Sequence, residues 1–206
     1  MNKKLDAFFK SFADSEEEMD VMIASQISNQ TFDVISSGSL ALDHALGCNG
    51  FPRGRIIQLY GPPGSGKSLM AMIAIINAQR LDPDSQQVFI DAEQTFNAEW
   101  AQKLGMDLDR VILVNGDMAS NGRRCFEMLL GVPKEDNKHV FAGKKKEGLL
   151  DKITSKEMNI NVIVLDSIGS IIPPGEDTSE VGKMNMSLLA RFLTTTFRKL
   201  SVEVKK

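Results

Sequence analysis

The sequence has few of the features that mark disulfide-bonded, metal-binding or membrane-spanning proteins. Its two cysteines, Cys48 and Cys125, lie far apart and match no metal-ligand spacing, so we expect two reduced thiols. No apolar run approaches the roughly 20 residues of a membrane-spanning helix. The N-terminus continues from Asn2-Lys3-Lys4 into an amphipathic segment and lacks the apolar core of a signal peptide. These absences predict a cytoplasmic protein with no membrane association.

The sequence also lacks an excess of positive charge. Its net charge is −3, so any binding to nucleic acid must come from a local basic patch rather than from the overall charge. The chain has 206 residues, of which 42% are hydrophobic, and no internal repeat or low-complexity segment. This length and composition can bury the core of one α/β domain.

One stretch fits the phosphate-loop pattern G-x-x-x-x-G-K-[ST] at every defined position. Residues 55–60 before it predict a short buried strand, and residues 69–80 after it predict a buried helix. Glycines let successive N–H groups point at a phosphate, and the helix start adds the positive end of its dipole. The lysine can reach the β- and γ-phosphates, and the serine hydroxyl can bind Mg²⁺. The residues assigned to the nucleotide are Gly61, Pro62, Pro63, Gly64, Ser65, Gly66, Lys67 and Ser68.

Strands and helices alternate beyond the phosphate loop, which predicts a parallel sheet. The predicted strands are 87–91, 110–114 and 161–167, and the predicted helices are 97–104 and 123–130. Asp166 ends a hydrophobic strand, the place where a phosphate-loop NTPase holds Mg²⁺ directly or through water. Glu93 also ends a strand and is the best candidate to orient or deprotonate the attacking water. The alternative for Glu93 is a carboxylate that only starts a helix.

Other segments allow two interpretations each. Residues 1–30 contain a helix with a bulky apolar stripe that either docks on another subunit or folds back on its own core. The polar excursion at 131–146 ends in three lysines and is either a solvated surface segment or a basic contact. A helix from Met186 to Leu200 follows the polar loop 175–183 and carries Arg191, Arg198 and Lys199 on its polar side. A solvated basic face is the ordinary explanation of these charges.

Several sequence blocks resemble the bacterial RecA recombinases. The blocks are residues 37–47, the phosphate loop, and residues 89–93, 100–105, 164–167 and 186–200, and they occur in the order found in that family. The resemblance implies an α/β fold with a RecA-like phosphate-loop NTPase core over residues 31–206 and a mainly parallel sheet. It also implies that the N-terminal helix docks on the adjacent protomer of a filament.

The resemblance implies roles for individual residues. Glu93 matches the glutamate that activates the hydrolytic water. Trp100 stands where the family has a tyrosine stacked on adenine, and Asn97 stands where it has an aspartate that reads the adenine amino group. Asparagine keeps an acceptor oxygen but loses the charge, which predicts weaker selectivity for adenine.

The resemblance extends to DNA. The loop 175–185 is similar to the first DNA-binding loop of the family, and Met186, Arg191 and Arg198 match positions at or near bound single-stranded DNA. This favours a nucleic-acid contact over a merely solvated face for the two arginines.

The chain departs from the family where it stops, at Lys206. The family continues with a strand that carries a γ-phosphate-sensing glutamine, a second DNA-binding loop and a C-terminal domain, so we expect a C-terminally incomplete core. In the family that strand lies between the phosphate-loop strand and the strand ending at Asp166. Its absence would leave costly unpaired backbone groups, at about 1–3 kcal/mol each.

These observations predict an ATP-dependent, Mg²⁺-requiring recombinase and DNA-dependent ATPase. Such a protein forms filaments on single-stranded DNA and exchanges strands with double-stranded DNA. The first alternative is a truncated ATP-binding module that regulates a partner without exchanging strands. The second is an unrelated phosphate-loop kinase, which the serine-rich block at 36–39 and the paired arginines argue against.

Overall fold

The computed structural model describes residues 33–132, 147–176 and 187–205. The predicted helix within residues 1–30, most of the excursion at 131–146, much of the loop 175–185 and Met186 lie outside the described residues. The chain from Asp33 onward belongs to one compact unit.

The described residues form five strands, seven α-helices and two short 3₁₀ turns. The strands are β1 (Val34–Ile35), β2 (Phe51–Pro52), β3 (Gln86–Asp91), β4 (Val111–Val114) and β5 (Ile160–Asp166). The helices are α1 (Leu40–Ala45), α2 (Lys67–Leu81), α3 (Ala98–Lys103), α4 (Gly116–Ser120), α5 (Gly122–Leu130), α6 (Leu149–Thr154) and α7 (Leu188–Glu203). The 3₁₀ turns are Leu108–Arg110 and Ile168–Ser170.

A three-stranded parallel sheet lies at the centre, in the order β4–β3–β5. Val88 in the middle strand pairs with Ile112 on one side and Ile163 on the other. The β3–β5 register shifts at Gln87, whose side-chain oxygen accepts a hydrogen bond of 2.9 Å from the Val162 N–H. The buried amide thus satisfies a backbone donor beside the irregularity. The predicted α/β fold with a parallel sheet is confirmed.

Helices cover both faces of this sheet because successive side chains of a strand point to opposite sides. Phe89 of β3 packs with Ile75 of α2 in one apolar cluster. Val88 packs in a second cluster with Phe126 of α5, against which Phe192 of α7 also packs. The rings of Phe126 and Phe192 meet edge to face, with centroids 5.5 Å apart. The central strand therefore contacts α2 on one face and the α5–α7 layer on the other.

The segment before the phosphate loop differs from the prediction. Residues 55–60 form no strand, and the side chains are exposed: Ile56 by 39%, Ile57 by 43% and Tyr60 by 88%. A strand is defined by hydrogen bonds to a neighbouring strand, and β5 pairs with β3 along one edge only. Within the described residues no strand lies along the other edge of β5, so the predicted buried strand is wrong in this structure.

Smaller differences concern short elements. Phe51 and Pro52 form a short antiparallel strand with β1, which the sequence pattern did not predict. The helix α6 was not predicted, and the helix after the phosphate loop begins at Lys67, two residues earlier than predicted. Elements of two to six residues depend on contacts with distant parts of the chain, so local periodicity reports them poorly.

The serine-rich turn at residues 36–39 is a hydrogen-bonded unit around a buried carboxylate. Asp43 accepts hydrogen bonds from the Ser36 hydroxyl at 2.6 Å and from the Ser37 N–H at 2.8 Å. Hydrogen bonds from the Ser36 hydroxyl, and to a smaller extent from Ser37, hold the pKa of Asp43 below its usual value, because these donors favour the charged carboxylate. Asn77 of α2 donates to the Ser36 carbonyl at 2.8 Å, which ties the turn to the helix after the phosphate loop.

Both cysteines have free thiols, as predicted. Cys125 of α5 lies in the buried cluster that contains Val88 of β3, where burial raises its thiol pKa to about 11. Among the helices of the described ranges, none combines the length and the apolar character needed to cross a membrane.

Gly122, the first residue of α5, lies where backbone and side chains come close together. A Cβ at this position would sit 2.7 Å from the Phe192 ring, 2.9 Å from a methyl group of Ile171 and 2.9 Å from the Ile172 carbonyl oxygen. The Gly122 N–H donates to that same carbonyl at 2.9 Å. The contact joins α5 to the segment that follows β5, and it leaves no room for a side chain.

We expect Gly122→Ala to lower the free energy of unfolding by about 2 kcal/mol or more, because overpacking against backbone cannot relax as a flexible side chain can. Thermal and denaturant unfolding measure the change. Gly169→Ala is the matched control, because its Cβ would meet only the Ser167 hydroxyl at 3.7 Å. Equal stability of Gly122→Ala and Gly169→Ala would contradict the assigned contact.

Asp43→Asn should destabilise the protein in a pH-dependent way. The folded-state pKa of Asp43 is lowered relative to the unfolded chain, so its charge stabilises the fold above about pH 4 and this contribution is lost as the pH falls through the folded-state pKa. The stability difference between wild type and Asp43→Asn should therefore be largest near neutral pH and shrink below about pH 4. Denaturant unfolding at several pH values tests this. Asp109→Asn, at an exposed position, is the control for the general effect of removing one carboxylate. A difference that is constant between neutral and acid pH would rule out the charged network.

Candidate nucleotide-binding site

The phosphate loop lies between the exposed segment 55–60 and the start of α2. Gly66 precedes the helix with φ 87° and ψ 16°, in the left-handed region that glycine enters without a steric penalty. This geometry explains why α2 begins directly at Lys67. The first turn of a 15-residue helix and its unpaired N–H groups thus face the loop.

The Lys67 side chain folds back across the loop. Its Nζ donates to the carbonyl oxygens of Gly61 and Pro62, each at 3.0 Å. A cavity of about 380 Å³ opens beside the ammonium group and is lined by the loop together with Leu42, Tyr60 and Met70. A positive charge, glycine-rich backbone and a helix N-terminus meet at this cavity, an arrangement that suits a phosphate group.

Glu93 and Asp166, the two acids predicted at strand ends, are brought together, although β3 ends at Asp91 and Glu93 lies in the loop two residues later. Asp91 and Asp166 are direct neighbours in the β3–β5 register. Beyond them, the N–H groups of Ala92 and Glu93 both donate to the Asp166 carbonyl oxygen, at 2.8 and 3.2 Å. Glu93 is exposed, while its neighbouring strand is buried. The carboxylate of Glu93 is therefore held by its backbone next to Asp166 at the carboxyl edge of the sheet.

Two residues that the sequence reasoning did not assign to the site shape this edge. The buried carboxylate of Asp91 accepts hydrogen bonds from the N–H groups of Thr95 at 3.1 Å and Phe96 at 2.9 Å, and so closes the loop that carries Glu93. The Ser167 hydroxyl donates to Oε1 of Glu93 at 2.5 Å. An aspartate at a strand end before a loop is a turn signal that can be recognised in a sequence. No local sequence pattern predicts the contact of Ser167 with Glu93.

Asn97 and Trp100 lie at the start of α3. Asn97 is the N-cap, and its side-chain oxygen accepts a hydrogen bond of 2.9 Å from the Trp100 N–H. The Trp100 side chain is 40% exposed. Ala101 on the same helix packs in the cluster that contains Ile75, so α3 and α2 lie on the same face of the sheet. The capping bond uses one lone pair of the Asn97 oxygen and fixes the orientation of its amide.

The side chains predicted to bind Mg²⁺ would leave most of its coordination positions to water and phosphate. The described ranges contain no group of three or more His, Cys, Asp or Glu side chains that could hold a metal ion. Ser68, in the first turn of α2, and Asp166, at the end of β5, carry side-chain oxygens, the type of ligand that Mg²⁺ takes alongside water and phosphate.

The basic side chains of α7 are divided between two sides of the helix. Arg191 and Arg198 are both exposed and lie seven residues apart, on the side opposite the buried Thr196 and the half-buried Leu193.

Lys199 does not share this side, which corrects the prediction from the sequence. It lines a cavity of about 520 Å³ that Phe126 and Phe192 also line. Successive residues are about 100° apart around a helix, and this separates Lys199 from Arg198.

A parallel sheet with helices on both faces, with a glycine-rich loop before one helix and acids at the carboxyl ends of two strands, defines an α/β domain of the RecA-like class. The family model described as the RecA N-terminal domain matches residues 3–136. The chain belongs to this family.

Curated relatives agree with this assignment. The chain is 34% identical over 186 residues to Protein RecA of Bacillus mycoides (strain KBAB4), a match that covers 90% of this chain and 46% of the relative. It is 35% identical over 181 residues to Protein RecA of Streptomyces ambofaciens, covering 88% of this chain and 41% of the relative. It is 33% identical over 202 residues to Protein RecA of Enterococcus faecium, covering 98% and 50%. The chain thus spans about half the length of the curated relatives that it matches.

Proposed function

We propose that this chain is the nucleotide-binding part of an ATP-dependent DNA recombinase. In this function the protein forms a filament on single-stranded DNA, pairs it with homologous double-stranded DNA and hydrolyses ATP in a DNA-dependent manner. The observation that carries the proposal is the position of Lys67, whose ammonium group lies over the glycine-rich loop at the start of α2. Membership of the RecA family supports it.

The ATP phosphates would be held by the backbone of residues 61–68. Lys67 would exchange its two carbonyl partners for oxygens of the β- and γ-phosphates. Ser68 and Asp166 would hold Mg²⁺, which supplies charge neutralisation on the phosphates when it is bound. Glu93 would orient the attacking water and accept its proton.

The base would lie against α3. Trp100 offers an exposed ring for stacking, an interaction worth about 1–3 kcal/mol per base in other settings. Asn97 would offer its remaining acceptor lone pair to the adenine amino group. Because Asn97 carries no charge and already caps α3, we propose that its contribution to adenine selectivity is small.

Single-stranded DNA would bind along the exposed side of α7. Arg191 and Arg198 are both exposed there, seven residues apart on one helix. Their side chains can reach phosphates of the DNA backbone. Met186, which precedes α7, would contact the same strand. Residues 1–30 would dock on the neighbouring protomer of the filament.

A second function is favoured by one observation. Within the described residues β5 is paired along one edge only and residues 55–60 are exposed. Because an open strand edge can pair with a strand of a partner chain, this edge suits an ATP-binding module that regulates a partner. Strand exchange by the complete gene product distinguishes the recombinase from this module, which would bind ATP without exchanging strands.

Lys67→Ala should weaken ATP binding by about tenfold to a hundredfold, because a hydrogen bond to a charged group contributes about 1.5–3 kcal/mol. Glu93→Gln should keep ATP binding and lose about a hundredfold or more in hydrolysis, because the loop and the metal ligands remain. Equilibrium binding of a fluorescent ATP analogue and a steady-state ATPase assay measure the two effects.

The control for the lysine is Lys103→Ala, which removes an exposed lysine paired with Glu99 on α3. If Lys67→Ala and Lys103→Ala bind the analogue equally well, the phosphate loop is not the nucleotide site. If Glu93→Gln loses binding and hydrolysis together, Glu93 has a structural role instead.

Replacing both Arg191 and Arg198 by alanine should weaken single-stranded DNA binding and leave ATP binding nearly unchanged. Each phosphate contact contributes about 0.7 to the slope of log affinity against log salt for a single strand, so the slope should flatten by about one unit. Fluorescence anisotropy at several salt concentrations, with the complete gene product, measures it. Lys199→Ala is the control on the same helix, and a salt slope that responds to Lys199 but not to the arginines would exclude this side of α7.

A further inference from the structure

The Glu93 side chain makes a hydrogen bond that a position at the start of a helix does not explain. Its Oε1 accepts a hydrogen bond of 2.5 Å from the hydroxyl of Ser167, a residue 74 positions later in the chain. The two side chains belong to segments that follow β3 and β5, the neighbouring strands whose ends are joined through the Asp166 carbonyl. The contact therefore depends on the sheet and not on local sequence.

The surroundings leave this bond as the main restraint on the Glu93 side chain. The backbone of the loop is fixed, because Asp91 accepts from Thr95 and Phe96, and Gln94 holds a left-handed φ of 58°. The Glu93 side chain itself is exposed and has several rotatable bonds, so packing does not choose its rotamer.

We propose that Ser167 is a positioning residue that holds the Glu93 carboxylate in the orientation needed to act on water. This inference rests on the proposed ATP hydrolysis. The hydroxyl occupies one carboxylate oxygen, Oε1, and leaves Oε2 to accept a hydrogen bond from a water molecule. A base held in one orientation spends more of its time in the reactive geometry, so the contribution of Ser167 falls on the chemical step rather than on binding.

Ser167 is also well placed to hold this orientation during turnover. It follows Asp166 directly, and its carbonyl oxygen accepts from the Ser170 N–H at 3.2 Å within the 3₁₀ turn Ile168–Ser170. Ser167 is half-buried, whereas Glu93 is exposed. The donor is thus anchored in a turn, and the more exposed acceptor is restrained by it.

The experiment compares Ser167→Ala, Ser167→Thr and Ser170→Ala in the complete gene product, with ATP hydrolysis measured on single-stranded DNA. We expect Ser167→Ala to lower kcat about tenfold and to leave KM for ATP nearly unchanged. Ser167→Thr keeps a hydroxyl and an extended backbone (φ −127°) that threonine adopts readily, so it should restore most of kcat. Ser170→Ala removes a hydroxyl from the same turn and should behave like wild type.

A double-mutant cycle with Glu93→Gln separates positioning from a general structural role. If Ser167 acts through Glu93, adding Ser167→Ala to Glu93→Gln should cause little further loss of kcat. Full additivity of the two losses, or a rise in KM without a fall in kcat, would overturn the positioning role. Should Ser167→Ala fail to fold, Ser167→Cys keeps a similar size with a much weaker donor, and the same loss of kcat is expected.

The outcomes for the proposed function and for this inference are distinct. Wild-type hydrolysis together with an unchanged kcat in Ser167→Ala overturns the positioning role and leaves the recombinase proposal intact. No hydrolysis by the wild type on DNA overturns the proposed ATPase, and the role of Ser167 with it.

Discussion

The parallel pairing of β3 with β5 is the constraint on which the rest of this structure depends. The two strands run in register from Val88 to Asp91, so their carboxyl ends finish side by side. The Asp166 carbonyl oxygen then accepts from two successive N–H groups of the following loop. A shift of one residue would send every side chain of β5 to the opposite face and would separate Asp166 and Ser167 from Glu93.

The central strand also connects the two functional surfaces that we propose. Phe89 packs on α2, the helix that begins at the phosphate loop, and Val88 packs in the cluster that α7 covers. Nucleotide and DNA would thus bind to helix layers on opposite faces of one sheet. A packed interior shifts between discrete arrangements rather than deforming continuously. A displacement of α2 or of α7 would therefore act on the same strand, β3.

Within the described part of the chain, one edge of β5 has no strand partner, and this has a physical cost. Backbone N–H and C=O groups that lack strand partners must be satisfied by water, which is possible only where they stay exposed. Residues 55–60 have the apolar, β-branched composition of a buried strand, and yet Ile56 and Ile57 remain about 40% exposed. The cavity at the phosphate loop is lined in part by Tyr60 of this segment.

The sequence by itself determined the features that depend on a few consecutive residues. The phosphate loop, the helix after it, the strand ending at Asp166 and the alternation of strands and helices could all be predicted, because glycine conformation, helix periodicity and apolar runs are local properties. The tertiary structure decided which segments pair and which side chains meet. Within the described residues it left the segment 55–60 without a strand partner, made Phe51 and Pro52 pair with β1, and brought the Ser167 hydroxyl to Glu93. These outcomes join residues far apart in the chain, and a hydrogen bond across 74 positions exists only because the sheet sets two strand ends side by side.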